Sequence, residues 1–531
     1  MDNNKSPLRR YFEQFRFVFL TIFLFYMSML LLDYYSVVKD IGFTFKFKPF
    51  KTNAANHHHL DDNNNNNPIT PSIIPSLNFT QNHSTTNGVD SNKVHKKQKI
   101  PPPSPPPRRN LDPCYGQYVY VHKLPRRFND HILKACRSLL HWGNMCPYLT
   151  NLGLGPKIIE KKNSKKQVLL KDTWYQTNQF SLEVIFHNIM KHYKCLTNDS
   201  SLASAIFVPY YAGLNVGQFL WGYDDSVRDE APLALVEWLS NQKEWKRMWG
   251  RDHFLIGGRT AYDFRRKTGE VPDWGTNLMF LPEARNMSML TIETDSYDND
   301  FPIPYPTYFH PSKDFQVNLW QKRMRRMKRP YLFSFAGAPR PNAPDSIRNE
   351  LIRQCESSRS CKLLDCYKNS RNKNTCDDPV SLMSVFQRSI FCLEPSGDSY
   401  TRRSTFDAIL AGCIPVFFHP KSAYEQYRWH LPKDYQSYSV FIPEGDVREN
   451  RAIINETLNK VSRTRILKMK EEVIRLIPRI TYREPRSRLG RVEDAFDVAV
   501  KGIIGKIEEI RREISSSPNN VNYSDEDVSS S

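Results

Sequence analysis

A chain of 531 residues, 40% hydrophobic and 12% aromatic, carries more apolar material than one core uses, since single cores stop growing near ~250–300 residues. Its formal charge of +19 is spread along the chain: 14 Lys and Arg stand against 8 Asp and Glu through Asp112, a net of +6, which leaves +13 to the remainder. With no arginine-rich arm, zinc finger or RNA-recognition signature beside it, that excess reads as an ordinary solvated basic surface, and no nucleic-acid partner is expected.

Residues 1–16 make a short basic tail. From Phe17 to Leu32 every residue is apolar, aromatic or a small hydroxyl, and Tyr34 and Tyr35 follow as interfacial anchors, so 17–35 is expected to be a transmembrane anchor. A cleaved signal peptide is the competing reading, but no small-residue cleavage pattern closes the run. Flanking Lys and Arg balance across the segment and leave orientation open. Orientation comes instead from what lies downstream of the anchor: N-glycosylation sequons at Asn78, Asn82, Asn198, Asn286, Asn455 and Asn522, and all ten cysteines. Both fit an oxidising lumen, with the bulk of the chain lumenal and the tail cytosolic. Residues 36–112 hold His57–His59, Asn63–Asn67, Pro101–Pro103 and Pro105–Pro107, a low-complexity stem that cannot bury a core. The His triplet reads as incidental to that composition rather than as a metal site.

Folded sequence begins near Cys114. Residues 113–325 alternate apolar strands (Tyr118–Val121, Ala205–Val208, His253–Ile256) with a helical stretch over Phe180–His192, an α/β lobe. A second lobe, 326–450, opens on the strand Tyr331–Phe335 and continues with a helix over Arg348–Cys355, a cysteine-rich loop, and the strands Ser389–Leu393 and Cys413–Phe418. Residues 451–514 read as covering helices, and 515–531 as a disordered polar tail. Cys355, Cys361, Cys366 and Cys376 lack the paired spacing of a zinc site and are expected to form disulfides, as Cys114, Cys136, Cys146 and Cys195 could. Cys392 and Cys413 sit in apolar strands and read as buried thiols. Asp298-Asn299-Asp300 matches the D-x-D triplet formally but lies in a polar loop, so no metal is expected.

The chemistry concentrates in Phe391 to Val416. A strand ends at Glu394; a loop rich in hydroxyls follows, with Ser396, Gly397, Asp398, Arg402 and Arg403; a helix starts near Ser404, carries Asp407 in its first turn and stops at Gly412. Helix-start amides and an arginine fork suit a diphosphate, and a carboxylate at Asp407 can accept ribose hydroxyls. This block resembles the nucleotide-sugar loop of GT-B glycosyltransferases. With Ala411-Gly412-Cys413-Ile414-Pro415-Val416, Phe207-Val208-Pro209, Gly250-Arg251-Asp252-His253-Phe254 and Phe333-Ser334-Phe335-Ala336-Gly337-Ala338-Pro339-Arg340, it resembles the exostosin family from about Cys114 to Asp446. Cys114-Tyr115-Gly116-Gln117, Trp174-Tyr175-Gln176-Thr177-Asn178-Gln179-Phe180 and Glu394-Pro395-Ser396-Gly397-Asp398 are similar to the plant xyloglucan galactosyltransferase group of that family.

The resemblance implies a GT-B-like α/β fold, two Rossmann-like lobes facing a cleft. It also implies a type II Golgi membrane enzyme that transfers β-galactose from UDP-galactose to xylosyl side chains of xyloglucan, in possible complexes with other wall glycosyltransferases. Transfer of another UDP-sugar such as galacturonic acid, or a non-catalytic polysaccharide-binding scaffold, are the alternatives. Inversion needs positive charge to stabilise the departing UDP, for which Arg403, Arg402 and Arg340 are the candidates; a guanidinium can do this without a metal, so no cofactor is expected. A base is also needed, and Asp252 and His253 stand first, followed by Asp263 and Glu283. Tyr210, Tyr211, Trp221 and Trp274 could stack on sugars or simply fill the core.

Overall fold

The computed structural model describes residues 112–160, 167–267, 273–295, 297–343, 346–366 and 375–516, which fall within one compact unit, Leu111–Ser531. The anchor, the stem, Asn78, Asn82, Asn522 and most of the expected polar tail lie outside them. Among the described residues no helix is long and apolar enough to cross a membrane.

Among the described residues, two wholly parallel sheets organise the fold. The first has six strands in the order β2-β1-β3-β4-β5-β6: β1 (Tyr118–Val121), β2 (Leu196–Thr197), β3 (Ala203–Phe207), β4 (His253–Ile256), β5 (Ser288–Thr291) and β6 (Asp300–Pro302). The second has five, β11-β10-β9-β7-β8: β7 (Tyr331–Gly337), β8 (Cys361–Asp365), β9 (Ser389–Glu394), β10 (Ile414–Phe417) and β11 (Val440–Phe441). Parallel strands covered on both faces tolerate continuous apolar runs. Accordingly β4, β5 and β10 are buried at every position. Helix Leu182–Met190 is buried almost all round, whereas helix Asp225–Ser240 keeps a wet face.

One apolar core runs through both sheets. It joins Val119 and Phe207 of the first, with Phe186 of helix Leu182–Met190, to Phe333, Phe391 and Val416 of the second, and takes in Phe496 and Ile503 of the last helix, Ala495–Ser516. The cysteine-rich loop of the second lobe contains a strand, β8, paired in register with β7. All ten cysteines are bridged: Cys114–Cys195, Cys136–Cys146, Cys355–Cys361, Cys366–Cys376 and Cys392–Cys413. The last pair corrects the expectation of buried thiols. Cys392 in β9 lies beside Pro415 of β10 in the ladder, so the residue just before β10 is within reach of it.

Candidate active site

β9 ends at Glu394, and the chain leaves the sheet through Pro395–Arg402 to enter helix Arg403–Leu410. Its neighbour β7 leads outward to β8, while β9 leads the other way to β10 and β11. The connections after β7 and β9 therefore diverge, and open parallel sheets hold ligands in the crevice at such a point, outside the strands' carboxyl ends. The helix stops where Gly412 takes φ +63°, and a Cβ there would stand 2.9 Å from the Arg329 guanidinium. Its start has Arg402 as N-cap and no side-chain cap. Around that start Glu394 Oε1, Ser396 Oγ, Arg403 Nε and Nη2, and Asp407 Oδ1 are buried with no hydrogen-bond partner among the described residues. Buried polar atoms are nearly always paired, so this cluster on one loop and one helical turn is shaped for a polar ligand.

Arginines surround it. Arg340, past the end of β7, pairs with Asp398 at 2.5 Å. Arg402 donates to Pro395 O (3.4 Å) and Ala336 O (3.3 Å) and stands 4.0 Å from Glu394. Arg348, which opens helix Arg348–Ser357, donates to Ser396 O at 3.3 Å. A Cβ on Gly397 would sit 3.2 Å from Arg402 Cγ and 3.5 Å from Arg348 Nη2, so the two flank this glycine. Burial, then the charges of Arg402 and Arg340, lowers Arg348 to about 9. Burial likewise pushes Glu394 up to about 7 against Arg402 and the Ser404 hydroxyl, and Asp407 up to about 6 against Arg403. Like-charged guanidiniums crowded beside carboxyls that burial drives toward neutrality make a site in which an added anion lowers the energy.

Arg403 spans the two sheets. It donates to Thr177 O at 2.7 Å, lies over the Tyr308 ring at 3.5 Å and stands 3.7 Å from Asp407. From the first lobe, Glu293, two residues beyond β5, accepts from Ser399 Oγ (2.7 Å), Thr401 N (2.8 Å) and Thr401 Oγ1 (2.5 Å). Neither Glu293 nor Arg348 belongs to the motifs that the sequence displays. The signal for Arg348 is its place in the connection after β7, the strand that adjoins β9; for Glu293 there is none in its neighbours.

Asp252 and His253 are placed elsewhere, which corrects their reading as a cleft-facing base. They stand at the amino end of β4, whereas parallel sheets present ligands at the carboxyl ends. Both are wholly buried. Asp252 accepts from Arg247 Nε at 3.0 Å and meets His253 Nδ1 at 2.8 Å; His253 Nε2 faces His122 Nε2 at 3.0 Å, under Trp245. Although burial works to raise Asp252, the bonds from His253 and Arg247 hold it below the ordinary range. Asp263 is fixed by Arg259 Nε (2.6 Å) and Trp274 Nε1 (2.8 Å), and Glu283 is exposed. Asp300 of the D-x-D triplet begins β6 and pairs with Arg265 at 3.2 Å. No group of three or more His, Cys, Asp or Glu among the described residues could hold a metal ion. Of the described sequons, Asn198 is exposed and Asn286 and Asn455 are half-buried.

Two parallel-sheet lobes with an arginine-lined helix start define a class: an α/β protein built to hold an anionic ligand at the carboxyl edge of its second sheet. The Exostosin GT47 domain matches residues 113–457, and the chain belongs to that family. It is 55% identical over 402 residues to the xyloglucan galactosyltransferase MUR3 of Arabidopsis thaliana, an alignment covering 76% of this chain and 64% of that protein. It is 48% identical over 439 residues to the probable xyloglucan galactosyltransferase GT12 of the same plant, with 82% and 83% covered. A solved glycosyltransferase from Rickettsia africae ESF-5 aligns over 76% of this chain and all of its own at 9% identity and a TM-score of 0.30, a likeness too slight to bear on function.

Proposed function

We propose that this protein is an inverting glycosyltransferase of GT-B-like architecture that moves galactose from UDP-galactose to xylosyl side chains of xyloglucan. The observation that carries it is the set of buried atoms on Glu394, Ser396, Arg403 and Asp407 that have no hydrogen-bond partner among the described residues, beside Arg340, Arg348 and Arg402. The diphosphate would lie against the guanidiniums and the uncapped helix start, and Glu394 or Asp407 would accept ribose hydroxyls. Bond breaking at the anomeric carbon puts charge on the departing β-phosphate. Guanidiniums already in place stabilise that charge with no reorganisation and no need of a metal ion. The names of the relatives support galactose and xyloglucan as donor sugar and acceptor.

The reading extends to a type II Golgi membrane protein with its catalytic region lumenal, a placement supported by the downstream sequons and by five disulfides, which suit an oxidising compartment. The test is a donor screen: full-length protein, galactose-free xyloglucan and a panel of UDP-sugars, with UDP release and product linkage measured, with and without EDTA. β-Galactosyl product from UDP-galactose alone, undiminished by EDTA, is expected. UDP release only from UDP-galacturonate reassigns the sugar, strict dependence on Mn²⁺ overturns the metal-free step, and no release from any donor leaves a polysaccharide-binding scaffold.

A further inference from the structure

Near the carboxyl ends of the first sheet lies a group of aromatic rings that the donor site does not use. The Trp221 indole stacks with His141 (centroids 4.2 Å apart, planes at 21°), Trp274 (5.0 Å, 16°) and Trp142 (6.0 Å, 8°). Large aromatic side chains normally contribute to stability by leaving water. Here Trp142 remains 56% exposed, Trp221 36% and the adjoining Tyr223 42%. The rings are held in place: the Cys136–Cys146 disulfide closes the loop carrying His141 and Trp142, and Gly275 N donates to Leu220 O at 2.7 Å, pinning the segments of Trp274 and Trp221 together. Nearly parallel indoles kept wet by a braced scaffold form a preorganised shelf.

Its setting identifies the occupant. Under Trp142 lies the Arg259 guanidinium, 5.7 Å from that ring and 4.4 Å from Phe180; Arg259 is almost wholly buried, and its Nη1 has no hydrogen-bond partner among the described residues. Arg259 also grips Asp263, which receives the Trp274 indole N–H. From there the main chain is tied to the donor loop: Ile292 N donates to Arg259 O at 3.1 Å, Ala261 N to Glu293 O at 2.9 Å, and the Glu293 carboxylate holds Ser399 and Thr401. The shelf is thus joined to the nucleotide loop through Arg259, Asp263 and Glu293. Pyranose rings offer apolar C–H faces to indoles and hydroxyls to fixed polar groups, and the shelf supplies both kinds of partner.

We propose that the shelf of His141, Trp142, Trp221 and Trp274 seats the glucan backbone of the polysaccharide acceptor, with Arg259 Nη1 donating to a sugar hydroxyl oxygen; this rests on the reading of the protein as a transferase acting on xyloglucan. The full chain and its Trp142→Ala, Trp221→Ala and Trp142→Phe variants are assayed with UDP-galactose and galactose-free xyloglucan. Each alanine variant is expected to raise the acceptor KM about tenfold, leave the KM for UDP-galactose unchanged, and abolish the quenching of tryptophan fluorescence by the polysaccharide added without donor. Trp142→Phe, which keeps a ring, is expected to stay close to the parent. Acceptor KM and quenching unaltered in variants of parental melting temperature overturn the shelf; should Trp221→Ala not fold, Trp142→Ala at its more exposed position decides alone. A parent chain that turns over no UDP-galactose sinks the transferase reading instead, and the quenching measurement still judges the shelf.

Discussion

Arg348 touches the loop that would hold the donor, yet lies 48 positions before the Ser396 carbonyl it binds. Replacing it with alanine removes a buried charge-assisted donor, and UDP is expected to bind about 10–100-fold more weakly by calorimetry, the equivalent of ~1.5–3 kcal/mol. Lysine should not restore affinity, because it lacks the planar fork; a dissociation constant within twofold of the parent in Arg348→Ala would remove this residue from the site. Glu394 gives a prediction in pH. Burial lifts its carboxyl from 4.5 to about 7, so between those values the folded protein keeps a proton that the unfolded chain has released. Unfolding free energy therefore falls as pH rises through that window. Glu394→Gln has no such proton, and its melting temperature should vary less than the parent's between pH 4.5 and 7; parallel curves would count against the shift. The loop residues from Glu394 to Asp407 were readable because acid, glycine, hydroxyl and arginine follow one another in the chain. Arg348 and Glu293 join them only through the adjacency of β7 with β9 and the passage of β5's tail over Thr401. Asp252 and His253 read in the sequence as a base because an Asp-His dyad looks alike at either end of a strand, while only the carboxyl end meets ligands.

At the scale of elements, the donor loop and its helix lie inside a covalent ring. Cys392 and Cys413, 21 positions apart, bracket everything from Glu394 to Gly412, so the unfolded chain is constrained at the segment the donor must find ordered. Loop-closure entropy puts the worth of such a bridge at roughly 3 kcal/mol. The double variant Cys392→Ala/Cys413→Ala should lower the melting temperature and raise amide exchange in residues 394–407 more than in β1 or β3; uniform exchange would show that the bridge only stabilises the molecule at large. The strands that carry the site were legible as apolar runs, because parallel strands buried on both faces need no alternation. β8, partly buried at the sheet's edge and lying between disulfide loops, has no such run, and in the sequence it reads as part of a cysteine-rich loop. Pairings of the cysteines depend on register, which Cys392 and Pro415 reveal only once β9 and β10 are laid side by side.

The whole molecule is closed by its last helix. Ala495–Ser516 follows the second lobe in sequence but packs on the first, placing Arg511 against Ala203 O at 3.3 Å. Its Phe496, Ala499, Val500, Ile503, Ile504 and Ile507 belong to the same core as β7 and β9. Arg403 on Thr177, Glu293 on Thr401, and Tyr427 donating to Ile292 O at 2.7 Å add polar ties between the lobes. A core shared in this way should make the lobes unfold together. Ile503→Ala leaves a cavity costing about 2–5 kcal/mol, and it should lower a single melting transition that reports on both sheets. UDP should act in the opposite sense on that same transition: at a hundred times its dissociation constant it adds about 2.7 kcal/mol to the folded state. Differential calorimetry checks both effects. Two resolved transitions, of which UDP moves one and Ile503→Ala the other, would mean that the lobes hold themselves up separately. The last helix would then be a cover on the first lobe alone, and the ties at Arg403 and Glu293 would have to form when the donor binds.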